Sequence, residues 1–297
     1  MTTRVGYFPQ NNSLWVLRHR DILTDVEWVD FRTLPRERVD PYSRLPSAHG
    51  DHLFDGGYDF IGTGSTPPVT AQALGHDVVY VAISEPRHEN GRLVVRGDSP
   101  ISSVADLRGK RVALGHGSWQ TTLLLLALES AGLSWRDIVP VDSYDNAAGA
   151  FLSGSVDAWV GSYPHLTEVE RQVPVRTLIE TPGLFTHRSL WFTRRDFAVS
   201  QRAELARIVS ALQESDRWVT SHYAEAAAFF PGSEADPAAW EHALRTRPWG
   251  LHPVTEEFVK EQQHAADLFR ANGLIDRDIT VSDAVLDDVN DLVAATL

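Results

Sequence analysis

The sequence contains no cysteine, which excludes disulfides, thiolate metal sites and cysteine nucleophiles. It also lacks any run rich in lysine and arginine, and its formal charge is −13, so neither nucleic acid nor an anionic membrane surface is expected as the main partner. A small anionic ligand stays open, because local backbone dipoles override an average field. No apolar stretch is long. The run Leu123–Leu128 is far short of the about 20 residues that span a bilayer, so no membrane insertion is expected. The first residues, "MTTRVGYFPQNNSLW", pass almost directly into a strand-like segment, with no charged leader, no apolar stretch of about 7–15 residues and no cleavage site. As written, the chain reads as cytoplasmic, and as periplasmic or extracellular only if an export segment once preceded it.

What is present is a chain of 297 residues, 43% hydrophobic, enough for a full core and for roughly two domains of about 100–200 residues. Short β-rich runs, among them Thr3–Phe8, Phe60–Gly62, Val78–Ile83, Arg111–Leu114 and Leu190–Phe192, alternate with helical patterns such as Leu14–Ile22, Val69–Leu74 and Trp119–Ala131. That alternation predicts an α/β fold of mostly parallel sheets flanked by helices, with ligands beyond the carboxyl ends of the strands. The last third reads as helical: Ser200 is placed to cap a helix reaching Tyr223, and Thr255–Asn272 forms another, with Gly273 as its stop. No linker of low complexity separates the parts. A domain boundary must then be a pair of short crossing segments, expected near Ser84–Asn90 and Thr181–His187. This gives one lobe of residues 1–86 and 188–297 and a second of 87–187.

Two loops carry the functional signal. "GTGSTPP", Gly62–Pro68, and "GHGSW", Gly115–Trp119, each follow a strand and precede a helix. Glycines there admit close backbone approach, and a helix N-terminus offers unpaired N–H groups and about half a positive charge, so an oxyanion can be held without a basic residue. Thr66 and Ser118 are the expected caps, Pro67 sits where a missing N–H costs nothing, and Trp119 adds an apolar wall. Each loop alone is also explained by ordinary helix capping. Neither is a nucleotide motif, since Gly62-x-Gly64-x-x-Pro67 lacks the third glycine, and Gly115–Trp119 does not place serine at the centre of Gly-x-Ser-x-Gly.

The ordered series "YDFIGTGSTPPVTAQALGHDVVYVA", "SPISSVADLRGKRVALGHGS", "ALESAGLSWRDIVPV", "GSVDAWV" and "EQQHAADLFRANGLI" resembles the substrate-binding proteins of aliphatic sulfonate importers, over nearly the whole chain. The resemblance implies a two-lobed, type II periplasmic-binding-protein fold, with a small organic anion between the lobes and an importer permease as partner if the chain is exported. The ligand-binding candidates are Gln10, Asn11, Asn12, Thr63, Gly64, Ser65, Thr66, Gly117, Ser118, Trp119, Tyr163 and Trp191. Two departures stand out. "GSYPHL", Gly161–Leu166, replaces the Trp-Asp-Pro-Tyr usual after "VDAWV", and Leu34–Asp59 is longer than usual and carries two histidines.

Some relatives on this fold, aromatic sulfinate desulfinases and a pyrimidine synthase, are enzymes. The resemblance would place the desulfinase cysteine in "FPQNNS", Phe8–Ser13, which has none. The remaining enzymatic alternative is a non-redox catalyst with His49, His52 or His116 as acid or base. His49, Asp51 and His52 have a spacing that offers two imidazoles and a carboxylate to a metal, but no further ligands stand out, and neither metal nor cofactor is expected. Of the nine tryptophans, Trp135, Trp218 and Trp240 fit helix packing. Trp15, Trp119, Trp159 and Trp191 fall at element ends, where cleft and core are both open. The acidic run Asp276–Asp291 reads as a solvated helical surface.

Overall fold

The computed structural model describes residues 2–35, 37–46, 51–87, 91–143 and 146–297, the side chain of residue 51 apart. Its strands are β1 (Thr3–Tyr7), β2 (Val26–Asp30), β3 (Phe60–Thr63), β4 (Val78–Ile83), β5 (Gly91–Arg96), β6 (Arg111–Leu114), β7 (Val139–Asp142), β8 (Ala158–Ser162), β9 (Val175–Glu180) and β10 (Leu190–Arg194). They form two five-stranded sheets, β2-β1-β3-β10-β4 and β7-β6-β8-β5-β9. In the first, β1, β2 and β3 are parallel and β10 runs against both β3 and β4. In the second, β6, β7 and β8 are parallel and β5 runs against β8 and β9. Each reversed strand is the one that follows a change of sheet along the chain, between β4 and β5 and again between β9 and β10. Strands β3 and β4 are buried along their whole length, which is why "FIGT" and "VVYVAI" read as continuous apolar runs rather than alternating ones.

The helices are α1 (Asn12–Arg20), α2 (Asp51–Phe54), α3 (Thr66–Ala73), α4 (Trp119–Ser130), α5 (Ala147–Leu152), α6 (His165–Glu170), α7 (Arg195–Ser200), α8 (Arg202–Val219), α9 (Tyr223–Ala227), α10 (Pro237–Arg245), α11 (Glu256–Ala271) and α12 (Asp287–Ala294). Helix α4 explains the leucine run: Thr121–Leu128 is buried on every side, against β5 and β8 on one face and α3 and α11 on the other. Helix α8 is amphipathic instead. It lays Leu205, Ile208, Val209 and Leu212 into the cluster that holds Leu14 and Leu17 of α1, each buried side chain contributing about 1.5–3 kcal/mol. No helix among the described residues is long and apolar enough to cross a membrane.

Three local expectations are corrected. Ser200 does not cap the long helix: it ends α7, donating its hydroxyl to the Asp196 carbonyl at 2.6 Å, and Gln201, at φ −116° and ψ 37°, breaks the chain before α8. Thr66 is the first residue of α3 rather than its cap, because Ser65 already has helical φ and ψ and occupies the cap position. The acidic run is helical only in part, with a 3₁₀ turn at Val281–Ala284 and then α12.

Candidate functional site

The two loops meet. The Ser65 hydroxyl lies 3.1 Å from that of Thr122 on α4. The Thr66 hydroxyl donates to the Ser118 carbonyl at 2.7 Å and sits 2.9 Å from Thr122 Oγ1. Thr63 donates to the Gly64 carbonyl at 2.9 Å. These hydroxyls therefore fasten the loops to each other. The backbone differs: the amide N–H groups of Gly64, Ser65 and Thr66 have no acceptor among the described residues, and Pro67 and Pro68 have no N–H. Buried Gln262 of α11 holds the loop from behind, donating to the Ser65 carbonyl at 2.6 Å. A cavity of about 40 Å³ behind the loop, lined by Ser65, Thr122, Phe185 and Gln262 among others, has room for a water or two but for no organic ligand.

The second loop uses most of its donors, and of its N–H groups that of Trp119 has no acceptor among the described residues. Ser118 caps α4, accepting from Gln120 N at 3.2 Å and donating to the Gly115 carbonyl at 2.7 Å. Gly115 N donates to Gln120 Oε1, His116 N to Asp142 Oδ1 at 3.2 Å, and Gly117 N to Thr121 Oγ1 at 3.0 Å. Gly117 has φ +82° and carries Pro46 where a Cβ would stand, 2.6 Å from Pro46 Cγ, so glycine is required twice over. This loop is built as a capped turn. More open N–H groups are left in the first loop than in the second.

Around the first loop, successive contacts close a ring. Asn11 caps α1, its Oδ1 accepting from Leu14 N at 3.0 Å, while its Nδ2 faces Gly62. The Trp191 indole faces the same glycine: a Cβ there would lie 2.2 Å from Asn11 Nδ2 and 2.9 Å from Trp191 Nε1. Two residues on, Gly64 abuts Trp119, whose ring packs over Gly91 beside Thr181 and stacks on His187 at 4.0 Å. His187 is within electrostatic reach of Arg87 and Arg247, and Arg247 Nη1 donates to the Gln10 carbonyl at 2.8 Å, next to Asn11. Arg87 donates to Ser189 Oγ. The ring takes residues from both sheets' loops and from both crossing segments.

This ring is cationic inside a chain of opposite overall sign. Burial lowers the Arg87 guanidinium to about 10, and burial with the neighbouring Arg87 charge pushes Arg247 well below its usual range. Burial, then Arg87 and Arg247, holds His187 far below 6.5, so its imidazole is uncharged at neutral pH. His187 is 1% exposed, has φ 36° in the left-handed region that non-glycine residues avoid, and neither ring nitrogen has a partner among the described residues. Trp191 Nε1, Asn12 Oδ1 and Thr181 Oγ1 are likewise buried without partners.

Other expected residues make contacts outside the ring. The Gln10 side chain is turned to Glu234 at 2.9 Å, and only its carbonyl joins the ring. Tyr163 accepts from Arg92 and meets the His242 ring edge-on at 4.8 Å, a contact between the second sheet's loops and α10. His52 donates to the Pro35 carbonyl at 2.9 Å, and His116 donates to the Arg44 carbonyl at 2.9 Å and stacks on Trp135. His49 lies outside the described residues. No group of three or more His, Asp and Glu side chains converges for a metal among the described residues. Of the element-end tryptophans, Trp15 donates to the Phe229 carbonyl and Trp159 packs against Phe151, both in cores, while Trp119 and Trp191 line the ring. Arg87, Arg247 and His187 were not singled out by the sequence for a site. Their one available signal was position, since Arg87 and His187 stand in the two crossing segments.

Gly62→Ala tests the ring's packing. The added methyl must displace Asn11, the cap of α1, or Trp191, which is 1% exposed, so a loss of about 1–3 kcal/mol is expected. Urea unfolding reads it as a lower midpoint at unchanged slope. An unchanged midpoint would mean the glycine has room to spare.

Two mixed five-stranded sheets, joined by two crossings that each lead into the reversed strand, define the periplasmic-binding-protein class of fold. The family profile NMT1/THI5 like matches residues 46–226, and the chain belongs to that family. The periplasmic aliphatic sulphonate binding protein SsuA from Escherichia coli is 28% identical, with a TM-score of 0.81 over 96% of this chain and 91% of that one. The alkanesulfonate-binding protein SsuA from Xanthomonas axonopodis pv. citri, solved bound to MOPS, is 30% identical, with a TM-score of 0.80 over 96% and 97%. The desulfurization enzyme DSZB shares the fold at 16% identity and a TM-score of 0.65.

Proposed function

We propose that the chain binds a small organic anion, a sulfonate or related oxyanion, inside the ring between its lobes. The observation that carries this reading is the buried trio Arg87, Arg247 and His187, set beside three backbone N–H groups and an indole N–H that have no acceptor among the described residues. The Arg87 and Arg247 charges attract an anion in a low-dielectric site, and the amides of Gly64–Thr66 at the N-terminus of α3 add neutral donors. The ring of Trp119 supplies a flat apolar wall for the ligand body. The two SsuA proteins named above are described as sulfonate binders, which agrees with this chemistry.

Binding would draw residues 1–86 with 188–297 toward 87–187, with the crossing segments as hinge, because the ring draws on both parts. An importer permease is the partner this mode implies if the chain works outside the membrane. Of the acid–base candidates, His52 and His116 each hold a backbone carbonyl outside the ring, and His49 lies outside the described residues. Calorimetry against sulfonates, sulfinates, phosphonates and carboxylates tests the reading. Sulfonates are expected to bind at micromolar or tighter Kd, and mass analysis should return them unchanged after long incubation. Failure of every anion in the panel would overturn it.

A further inference from the structure

An anionic head group accepts hydrogen bonds and donates none. It satisfies the amides of Gly64–Thr66 and the Trp191 indole, and it leaves the acceptors around them unmet. His187 supplies the acceptor that matters most. An uncharged imidazole carries one N–H and one bare nitrogen, and this one is fixed in plane by its stack on Trp119 at 4.0 Å and sits in a strained backbone position, with both nitrogens buried and unpartnered among the described residues. Thr181, which with Trp119 lies against Gly91, has a buried hydroxyl that is likewise without a partner among the described residues. A buried acceptor with nothing to accept costs about 1–3 kcal/mol, so a ligand that supplies a donor at that point is favoured over one that does not.

Resting on the anion-binding reading, we infer that the ring selects an organic anion bearing a hydroxyl near its head group, whose O–H donates to the bare ring nitrogen of His187, and that His187 determines this specificity. A hydroxyl fits better than an ammonium. Both donate, but an ammonium places a further full positive charge near Arg87 and Arg247, whose charges already act on His187. The closest chemical class is a hydroxyalkanesulfonate.

Calorimetry on matched ligands tests this: ethanesulfonate against 2-hydroxyethanesulfonate, propane-1-sulfonate against 2-hydroxypropane-1-sulfonate, and 2-aminoethanesulfonate as the cationic comparison. The hydroxylated member of each pair is expected to bind about tenfold tighter or more, and the amine more weakly than the alcohol. His187→Phe keeps a ring to stack on Trp119. In that variant the ratio of affinities within each pair should collapse to near unity, whatever happens to the absolute affinities. Equal affinities within each pair for the unaltered chain, or tighter binding of the amine, would overturn the inference and leave anion binding standing. Absence of binding by all five sulfonates would remove sulfonate recognition itself, and the inference with it.

Discussion

Arg247→Met is expected to weaken alkanesulfonate binding by about 100-fold or more. Arg247 is buried, its Nη1 anchors the Gln10 carbonyl at 2.8 Å, and its charge reaches both Arg87 and His187. Removing one partner of a buried, hydrogen-bonded charge pair costs about 2–5 kcal/mol, which spans roughly 30-fold to several thousand-fold in Kd. Methionine fills similar space without a charge, so the ring is kept and the attraction is lost. Arg247→Lys should fall between, retaining the charge but not the planar fork that serves Gln10 and a ligand together. Because the pair is buried, the loss should be nearly the same in low and high salt. Calorimetry reads all three variants, and an affinity unchanged by Arg247→Met would place the anion elsewhere.

Asp216→Asn is expected to raise stability at pH 8 and to do little near pH 4. Asp216 lies on α8, fully buried, its Oδ2 accepting from Ser13 at 2.9 Å and from Gly250 N at 3.0 Å, while Oδ1 has no partner among the described residues. Burial pushes its carboxyl up from 3.8 to about 7 against the smaller opposing pull of those two donors. The folded chain therefore holds this proton at pH values where the unfolded chain has released it. Stability from this group is fully present below about pH 4, falls as pH rises to about 7, and is level above that. The interval corresponds to a loss on the order of 4 kcal/mol by pH 8. Asparagine stays neutral and still accepts from Ser13 and Gly250, so the variant avoids the loss. Thermal melts at pH 4 and pH 8 should converge at the lower value and separate by several degrees at the higher. Equal melting points at pH 8 would show that the carboxylate ionises there without cost.

Strand and helix positions were readable because the burial is continuous: "FIGT" and "VVYVAI" lie buried within a sheet, and the leucines of α4 are enclosed on all sides. The crossings were expected near Ser84–Asn90 and Thr181–His187, each with proline or glycine between strong strands. The loops were found, but not their division of labour. Which N–H groups stay open depends on whether a side chain a turn away reaches back. Gln120 and Thr121 do so in the second loop, whereas the first has prolines at the equivalent points. One residue of error at Thr66 has a similar origin, because its hydroxyl is drawn across to Ser118 and Thr122 by the other lobe.

The buried trio of two arginines and a histidine was hidden for a different reason. Arg87, His187 and Arg247 each stand among other polar residues in a loop-like stretch, and alone each looks solvated. Only the meeting of segments 60–100 residues apart buries them together, and no local pattern records that.

A crystal structure grown with ethanesulfonate tests the central claim most directly. The account predicts sulfonate oxygens within about 3 Å of the Trp191 indole nitrogen and of amides in Gly64–Thr66, with Arg247 and His187 facing the ligand. A sulfonate bound where none of these four groups reaches it would contradict the account.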